Sequence, residues 1–164
     1  MRRSMWQLFF IAGLFGALIG SFLNVCIYRL PRQESIVWPG SHCPSCSKPI
    51  AWYDNVPILG YLILAGKCRA CSVSIPLHYP LVEVLNAAGY LAVLWHFGPT
   101  IEAGVYAVLM SALLVVAGTD LSHKIIPNAV TYPGAVLGLV SGAVFLPLGL
   151  LNSLIGLQIG RAHV

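Results

Sequence analysis

Hydrophobic residues dominate most of this chain, and one long polar segment separates the first apolar run from the later ones. The first run, residues 6–28, is uncharged for 23 residues, and about 20 apolar residues are enough for a helix to cross a bilayer. Because two arginines follow it rather than a small-residue cleavage site, we interpret it as a retained helix and not a signal peptide. Later runs predict a second helix from near Pro80, a third over about 103–119 and a fourth over about 128–146.

Small and polar residues within the first run predict how its helix packs. Gly16 and Gly20 form a Gly-x-x-x-Gly pattern, which lets a second helix approach closely. Ser21 and Asn24 are expected to make interhelical hydrogen bonds rather than to act directly in catalysis. Cys26 lies in an apolar sequence and is expected to be a packing residue.

The polar segment, residues 29–79, contains six prolines, so long helices are not expected in it. Its four cysteines form two Cys-x-x-Cys pairs, namely Cys43 with Cys46 and Cys68 with Cys71. Two such turns can close a tetrahedral site around zinc, and binding would then contribute directly to folding of a segment with few apolar residues. Because four thiolates leave no open coordination position, the zinc is predicted to be structural. The flanking His42 and His78 are expected to be ordinary loop histidines.

Composition places the chain in a membrane. Of its 164 residues, 58% are hydrophobic and 9% charged, whereas soluble domains have about 25% charged residues. The formal net charge of +4 does not indicate nucleic-acid binding, because no basic patch with interleaved aromatic residues occurs.

If the second and third predicted helices both span the membrane, residues 29–79 and 120–128 lie on one side of it. These segments hold six of the nine Lys and Arg, so the positive-inside rule places both in the cytoplasm, where a metal is favoured over disulfides.

Asp120 follows the third predicted helix and is the candidate for acid–base chemistry. Its simplest interpretation is an interface carboxylate paired with Lys124 one turn away. The alternative is a general acid or base at the water-accessible end of a helix. Peptide hydrolysis by carboxylates needs two of them, and no other acid is an evident partner, since Glu83 is expected to cap the second helix. Nearby, His123 is expected to be solvated and Asn128 to begin the fourth helix.

Several motifs together resemble those of the prepilin peptidases, the membrane aspartic peptidases of type IV pilus and type II secretion systems. The matching strings are Gly20-Ser-Phe-Leu-Asn-Val-Cys-Ile-Tyr-Arg-Leu-Pro31, both Cys-x-x-Cys pairs, Tyr79-Pro-Leu-Val-Glu83 and Asp120-x6-Pro127-Asn128. They occur in the family's order, over about residues 9–150. The resemblance implies a multi-pass enzyme of the bacterial inner membrane that cuts prepilin or pseudopilin leaders at the cytoplasmic face.

The resemblance also implies residue roles and a cofactor. Asp120 matches the first of the family's two catalytic aspartates. Many members methylate the new N-terminus with S-adenosylmethionine, and this sequence contains no Gly-rich nucleotide loop that locates the cofactor's binding residues. The family's second aspartate lies in a Gly-x-Gly-Asp motif, which does not occur in these 164 residues. The chain is therefore interpreted as truncated and is expected to be inactive in proteolysis by itself.

These patterns predict an all-α polytopic membrane protein with about four complete transmembrane helices and the start of a fifth near Leu150. Its expected divisions are a helix over 6–28, a zinc-stapled cytoplasmic loop over 29–79 and part of a peptidase domain over 80–164. The expected partners are prepilin or pseudopilin substrates and membrane lipid, and no nucleic acid. The alternative function is a non-catalytic, zinc-stabilised membrane module of a pilus or secretion complex.

Overall fold

The computed structural model describes residues 2–125, 127–144 and 154–155, and these form helices around one largely irregular loop. The helices are α1 (Arg2–Arg29), α2 (Leu59–Ile63), α3 (His78–Phe97), α4 (Ile101–His123) and α5 (Asn128–Val144). A single 3-10 turn, Leu30–Arg32, continues α1. The loop between this turn and α3 holds only the five-residue α2, as its prolines predict.

Within the described residues, three helical stretches are long and apolar enough to cross a membrane, namely Met5–Arg32, α3 and α4. The predicted helical, multi-pass character is confirmed at this level. Helix α5 is shorter, with 17 residues, and the predicted end of this fourth span, 145–146, lies outside the described residues. The predicted fifth span also lies outside them, apart from Leu154 and Ile155, which are helical. A count of four complete spans therefore stays a prediction.

The two glycines of α1 let α3 pack directly against its backbone. A Cβ atom at Gly20 would lie 2.7 Å from Glu83 Cα, and one at Gly16 would lie 2.9 Å from Ala87 Cα. Side chains larger than hydrogen do not fit at such separations, so the predicted small-residue face is confirmed.

A buried polar network joins α1, α3 and α4. The side chain of Asn86 is fully buried, and its amide nitrogen donates to Gly16 O at 2.7 Å. The Ser111 hydroxyl donates to Asn86 Oδ1 at 2.9 Å, and Tyr90 Oη lies 3.1 Å from Ser111 Oγ. Because these polar groups find partners in an apolar bundle, the network favours one register of the three helices.

The C-terminal parts of α1 and α4 meet at one end of the bundle. A Cβ atom at Gly118 would lie 2.5 Å from Ile27 Cδ1. Leu23, Cys26, Ile27 and Val115 form the core cluster between the two helices. The packing role predicted for Cys26 is therefore confirmed. Since the loop connects the end of α1 to the start of α3, the loop and Asp120 lie at the same end of the bundle, as the alternation of spans predicts.

Candidate metal centre and acidic site

The loop builds its two cysteine pairs as turns with the same backbone hydrogen bonds. In the first turn, Cys43 N–H donates to Lys48 O at 3.0 Å, and Ser47 N–H donates to Cys43 O at 2.9 Å. The second turn repeats both bonds, with Cys68, Val73 and Ser72 in the corresponding positions. Ser47 and Ser72 are both left-handed, with φ of 56° and 58°. The shared geometry turns each Cys-x-x-Cys pair toward one point.

The two turns bring all four sulfur atoms together. The Sγ atoms of Cys43, Cys46, Cys68 and Cys71 all lie within 4.8 Å of one another. The distance from Cys43 Sγ to Cys71 Sγ is 3.8 Å. Four sulfurs bound tetrahedrally to zinc at about 2.3 Å are themselves about 3.8 Å apart, whereas a disulfide needs about 2.05 Å. The cluster therefore fits a four-thiolate metal ion.

The flanking histidines were expected to be ordinary loop residues, and this is wrong for His78, since α3 begins at that residue. Among the described residues, the metal-ligating cluster contains only the four cysteines. His42 Nδ1 instead lies 3.1 Å from Gly40 O. His78 is the first residue of α3, and its ring stacks on Tyr79 with centroids 4.5 Å apart.

The thiols differ in acidity because of their neighbours. Backbone N–H groups of Cys46 and Ser45 lower the pKa of the Cys43 thiol to about 6, more than partial burial raises it. Val73 N–H acts to lower the pKa of Cys71, but desolvation and the neighbouring thiols together raise it to about 12. Successive loss of protons from clustered thiols is opposed by the growing negative charge, which a bound dication compensates.

Arg69, between the cysteines of the second turn, ties that turn to another part of the loop. Its guanidinium donates to both carboxylate oxygens of Asp54, from Nε at 2.8 Å and from Nη2 at 2.7 Å. The hydrogen bond from Arg69 lowers the pKa of Asp54, and the carboxylate raises the pKa of Arg69. Two parallel bonds fix orientation as well as distance, so this pair holds the second turn against residues 51–55.

Glu83 and Asn24 join the loop and the bundle. Glu83 Oε2 accepts a hydrogen bond from Ile58 N–H at 2.7 Å. The predicted capping role of Glu83 is wrong, because α3 begins at His78 and has no acidic residue in its first turn. Asn24 Nδ2 donates to Tyr79 O at 3.0 Å, which confirms its predicted interhelical hydrogen bond. The interhelical bond expected of Ser21 stays a prediction.

Asp120 lies in the last turn of α4, with its side chain exposed. Its predicted pair with Lys124 does not form, since the part of the chain that the structure describes contains a single ion pair, Arg69–Asp54. Lys124 instead ends the helix in a left-handed conformation, φ 54°, and its N–H donates to Asp120 O at 2.8 Å. The side chain of Asp120 is thus exposed at the loop end of the bundle.

The neighbours of Asp120 are placed by the ends of two helices. His123, the last residue of α4, is half-buried, and its Nδ1 is enclosed with no hydrogen-bond partner among the described residues, so the ring is less solvated than the sequence predicts. Asn128 begins α5 as predicted, and Pro127 O accepts from Val130 N–H at 3.0 Å. The acid Glu102 lies in the first turn of α4, at the opposite end from Asp120.

Sequence reasoning missed the buried polar contacts of Arg29 and Asn86. Arg29 is 6% exposed and donates to Ser35 O at 2.8 Å and Gly40 O at 3.3 Å, where the sequence suggested a topology signal. Asn86 forms the three-helix network. The available signal was a strongly polar residue in an apolar sequence, which usually has a defined partner.

Two family models match this chain along most of its length. Residues 14–97 match the bacterial peptidase A24 N-terminal domain, and residues 107–162 match the type IV leader peptidase family. The first match covers the cysteine loop, α3 and the part of α1 from residue 14 onward, and the second covers Asp120. No solved structure matches the chain.

Curated relatives carry one shared name, prepilin leader peptidase/N-methyltransferase. That of Myxococcus xanthus is 43% identical over 148 residues, covering 88% of this chain and 43% of the relative. That of Pseudomonas aeruginosa is 35% identical over 172 residues, covering 90% and 59%. That of Klebsiella pneumoniae is 36% identical over 143 residues, covering 82% and 63%. The chain thus spans about half the length of these relatives.

Proposed function

This chain belongs to the type IV leader peptidase family, and we propose that its protein is a membrane aspartic endopeptidase of the bacterial inner membrane. Its substrates are prepilins or pseudopilins, from which it removes the leader peptide, and it then methylates the new N-terminus. The relatives' shared name supports both activities. The observation that carries the assignment for this chain is the exposed Asp120 at the same end of the bundle as the cysteine loop.

Asp120 is one of two carboxylates that the hydrolysis requires. In such a pair, one carboxylate takes a proton from water while the other donates a proton to the scissile amide. Glu102 is at the far end of α4, and the carboxylate of Glu83 is bonded to the loop. Neither of these two acids is therefore free to pair with Asp120, and the 164-residue polypeptide alone is expected to be inactive in leader cleavage.

The reaction takes place at the cytoplasmic face. Six of the nine Lys and Arg lie in residues 29–79 and 120–128, and positive charge is retained on that side. An apolar prepilin helix can lie in the bilayer beside the bundle, with its basic leader at the loop end.

The cysteine loop holds one structural zinc through Cys43, Cys46, Cys68 and Cys71. A closed four-thiolate set keeps no position for a water or substrate, so the metal acts on folding and not on hydrolysis. S-adenosylmethionine supplies the methyl group when bound, and its binding residues stay unassigned.

The experiment compares variants of the protein expressed from its complete gene, by the mass of the leader released from a prepilin in detergent. Asp120→Asn is expected to abolish cleavage, because the amide cannot take up a proton, while Glu102→Gln, at the far end of the same helix, is expected to keep it. The proposal is refuted if Asp120→Asn cleaves at the wild-type rate. Cleavage by the 164-residue chain alone would refute its predicted inactivity.

A non-catalytic, zinc-stabilised module of a pilus or secretion complex is the second candidate. The observation favouring it is that the four clustered cysteines all come from the loop, and none comes from the region around Asp120. This candidate predicts no leader release by the complete gene product under any condition, together with full zinc content.

A further inference from the structure

Residues 35–40 of the loop, which we term the finger, lie alongside the membrane-spanning part of α1. A cavity of about 270 Å³ separates them, and its lining includes Leu18 and Phe22 of α1 with Val37 and Pro39 of the finger. Arg29, at the end of α1, also lines this cavity. Eleven residues of helix rise by about 16 Å, so the cavity extends well back along α1 from its end.

The α1 side of this cavity lies at hydrocarbon depth. The apolar helical stretch Met5–Arg32 has 28 residues, and a bilayer core needs about 20. Every 20-residue window of that stretch includes residues 13–24, so a span of this length places Leu18 and Phe22 inside the hydrocarbon. Both side chains are exposed, by 50% and 45%, and therefore face lipid beside the finger.

The finger presents its own apolar side chains to the same surroundings. Val37 is 80% exposed and Trp38 is 78% exposed. By contrast, Ile36, which precedes them in the sequence, packs against the core cluster. Tryptophan prefers the membrane interface, where its ring is partly in hydrocarbon and its N–H reaches polar groups. The two exposed side chains thus continue the lipid-facing surface of α1.

Part of the backbone of the finger is hydrogen-bonded within the protein. The buried guanidinium of Arg29 donates to Ser35 O and Gly40 O, at the two ends of the finger. Ser35 Oγ accepts from Val37 N–H and Trp38 N–H, both at 3.3 Å, and Pro39 has no N–H. These partners satisfy only some of the backbone polar groups, which suits a position at the membrane interface rather than within the hydrocarbon.

The charges beside the finger suit a lipid headgroup. Arg32 follows α1 and lies over the ring of Tyr28, with Cζ 3.9 Å from the ring centroid. A basic and an aromatic residue at a helix end are a common pair at the membrane interface, and a basic residue there attracts anionic lipid.

We propose that the finger is a membrane anchor, in which Val37 and Trp38 insert into the bilayer interface beside α1, on the loop side of the membrane. The partner is an anionic phospholipid bilayer. The anchor sets the height of the cysteine loop above the membrane, because Arg29 joins the finger to the helix and the finger leads directly to Cys43.

The test uses tryptophan fluorescence, since the chain has four tryptophans in distinct places. The chain with Trp38 as its only tryptophan, the others replaced by Phe, is reconstituted into vesicles of phosphatidylethanolamine, phosphatidylglycerol and brominated phosphatidylcholine. Trp38 is expected to be quenched several-fold more by bromines at a shallow acyl position than at a deep one. Its quenching by aqueous acrylamide is expected to fall several-fold below that of N-acetyltryptophanamide.

A second measurement keeps the test valid if the triple replacement fails to fold. Quenching by brominated lipid is measured for the otherwise native chain and for Trp38→Phe. The difference between the two is the contribution of Trp38, and it should show the same depth dependence as the chain with Trp38 alone. A chain with Trp95 alone, exposed on α3, is the lipid-facing reference. Trp38 that acrylamide quenches like the free analogue overturns the proposal. Trp38 shielded from both quenchers is covered by protein, such as a second copy, and overturns it too.

Discussion

The carboxylate of Glu83, the sixth residue of α3, accepts a 2.7 Å hydrogen bond from the backbone of Ile58, which lies 25 residues earlier in the loop. The same residue's Cα packs on Gly20 of α1. Ile58 has a φ of 62°, a conformation that is unfavourable for a β-branched residue. One side chain on the membrane bundle therefore fixes an otherwise strained point of the cysteine loop.

Replacing Glu83 should loosen the loop without removing its metal. Glu83→Ala deletes the acceptor of this hydrogen bond. If the free energy of local opening falls by about 1 kcal/mol, the amide hydrogen of Ile58 exchanges about fivefold faster. Glu83→Gln keeps an oxygen at this position and should change the rate less. Hydrogen exchange followed by mass spectrometry measures both. Equal exchange in the wild type and Glu83→Ala would show that this bond does not hold the loop.

Metal content should depend on the clustered cysteines and not on the remaining one. The wild type is expected to bind about one zinc per chain, and Cys68→Ser to lose most of it, because three thiolates bind more weakly than four. Cys26→Ser, which alters the buried cysteine of α1, is the matched control and should keep the zinc. The measurement is elemental analysis of purified protein. The same zinc content in all three proteins would count against the site.

The contact of α1 with α3 should be sensitive to one methyl group. Gly20→Ala places a Cβ 2.7 Å from Glu83 Cα, and such overpacking destabilises by about 1–3 kcal/mol. Gly104→Ala is the control, because nothing lies within 4 Å of its Cβ, and it should be neutral or stabilising by up to about 1 kcal/mol. Thermal unfolding in detergent compares the two variants. Equal unfolding temperatures would contradict the close helix contact.

Acid should release the Asp54–Arg69 contact. Arg69 lowers the pKa of Asp54 below its ordinary 3.8, so the pair stabilises the loop above that pH and is lost as pH falls through the lowered value. Asp54→Asn should lack this component. The rate of protease cleavage of the loop is measured as a function of pH for the wild type and for Asp54→Asn. Subtracting the variant's rates from those of the wild type removes the contribution of the thiols, which both proteins share. A difference in rate that stays constant between pH 5 and pH 2 would contradict the prediction.

Local sequence determined the helices and the cluster of four cysteines. An uncharged run of 23 residues leaves few alternatives to a membrane helix, because only a helix satisfies its own backbone in lipid. Two Cys-x-x-Cys pairs predicted a cluster because each pair needs only its own turn. The Gly16 and Gly20 spacing likewise predicted a close contact, since both lie on one helix face.

Only the tertiary structure decided which partners the polar residues take. Glu83 reads as a helix cap in sequence, yet it bonds to Ile58, because the start of α3 and the path of the loop together set its surroundings. Asp120 has Lys124 one turn away, yet the helix ends in a left-handed residue and no ion pair forms. Helix geometry and short-range hydrophobicity are properties of neighbouring residues, whereas a hydrogen-bond partner depends on residues distant in the chain. The position of residues 35–40 beside α1 was likewise decided only by the tertiary structure, because it depends on the buried guanidinium of Arg29.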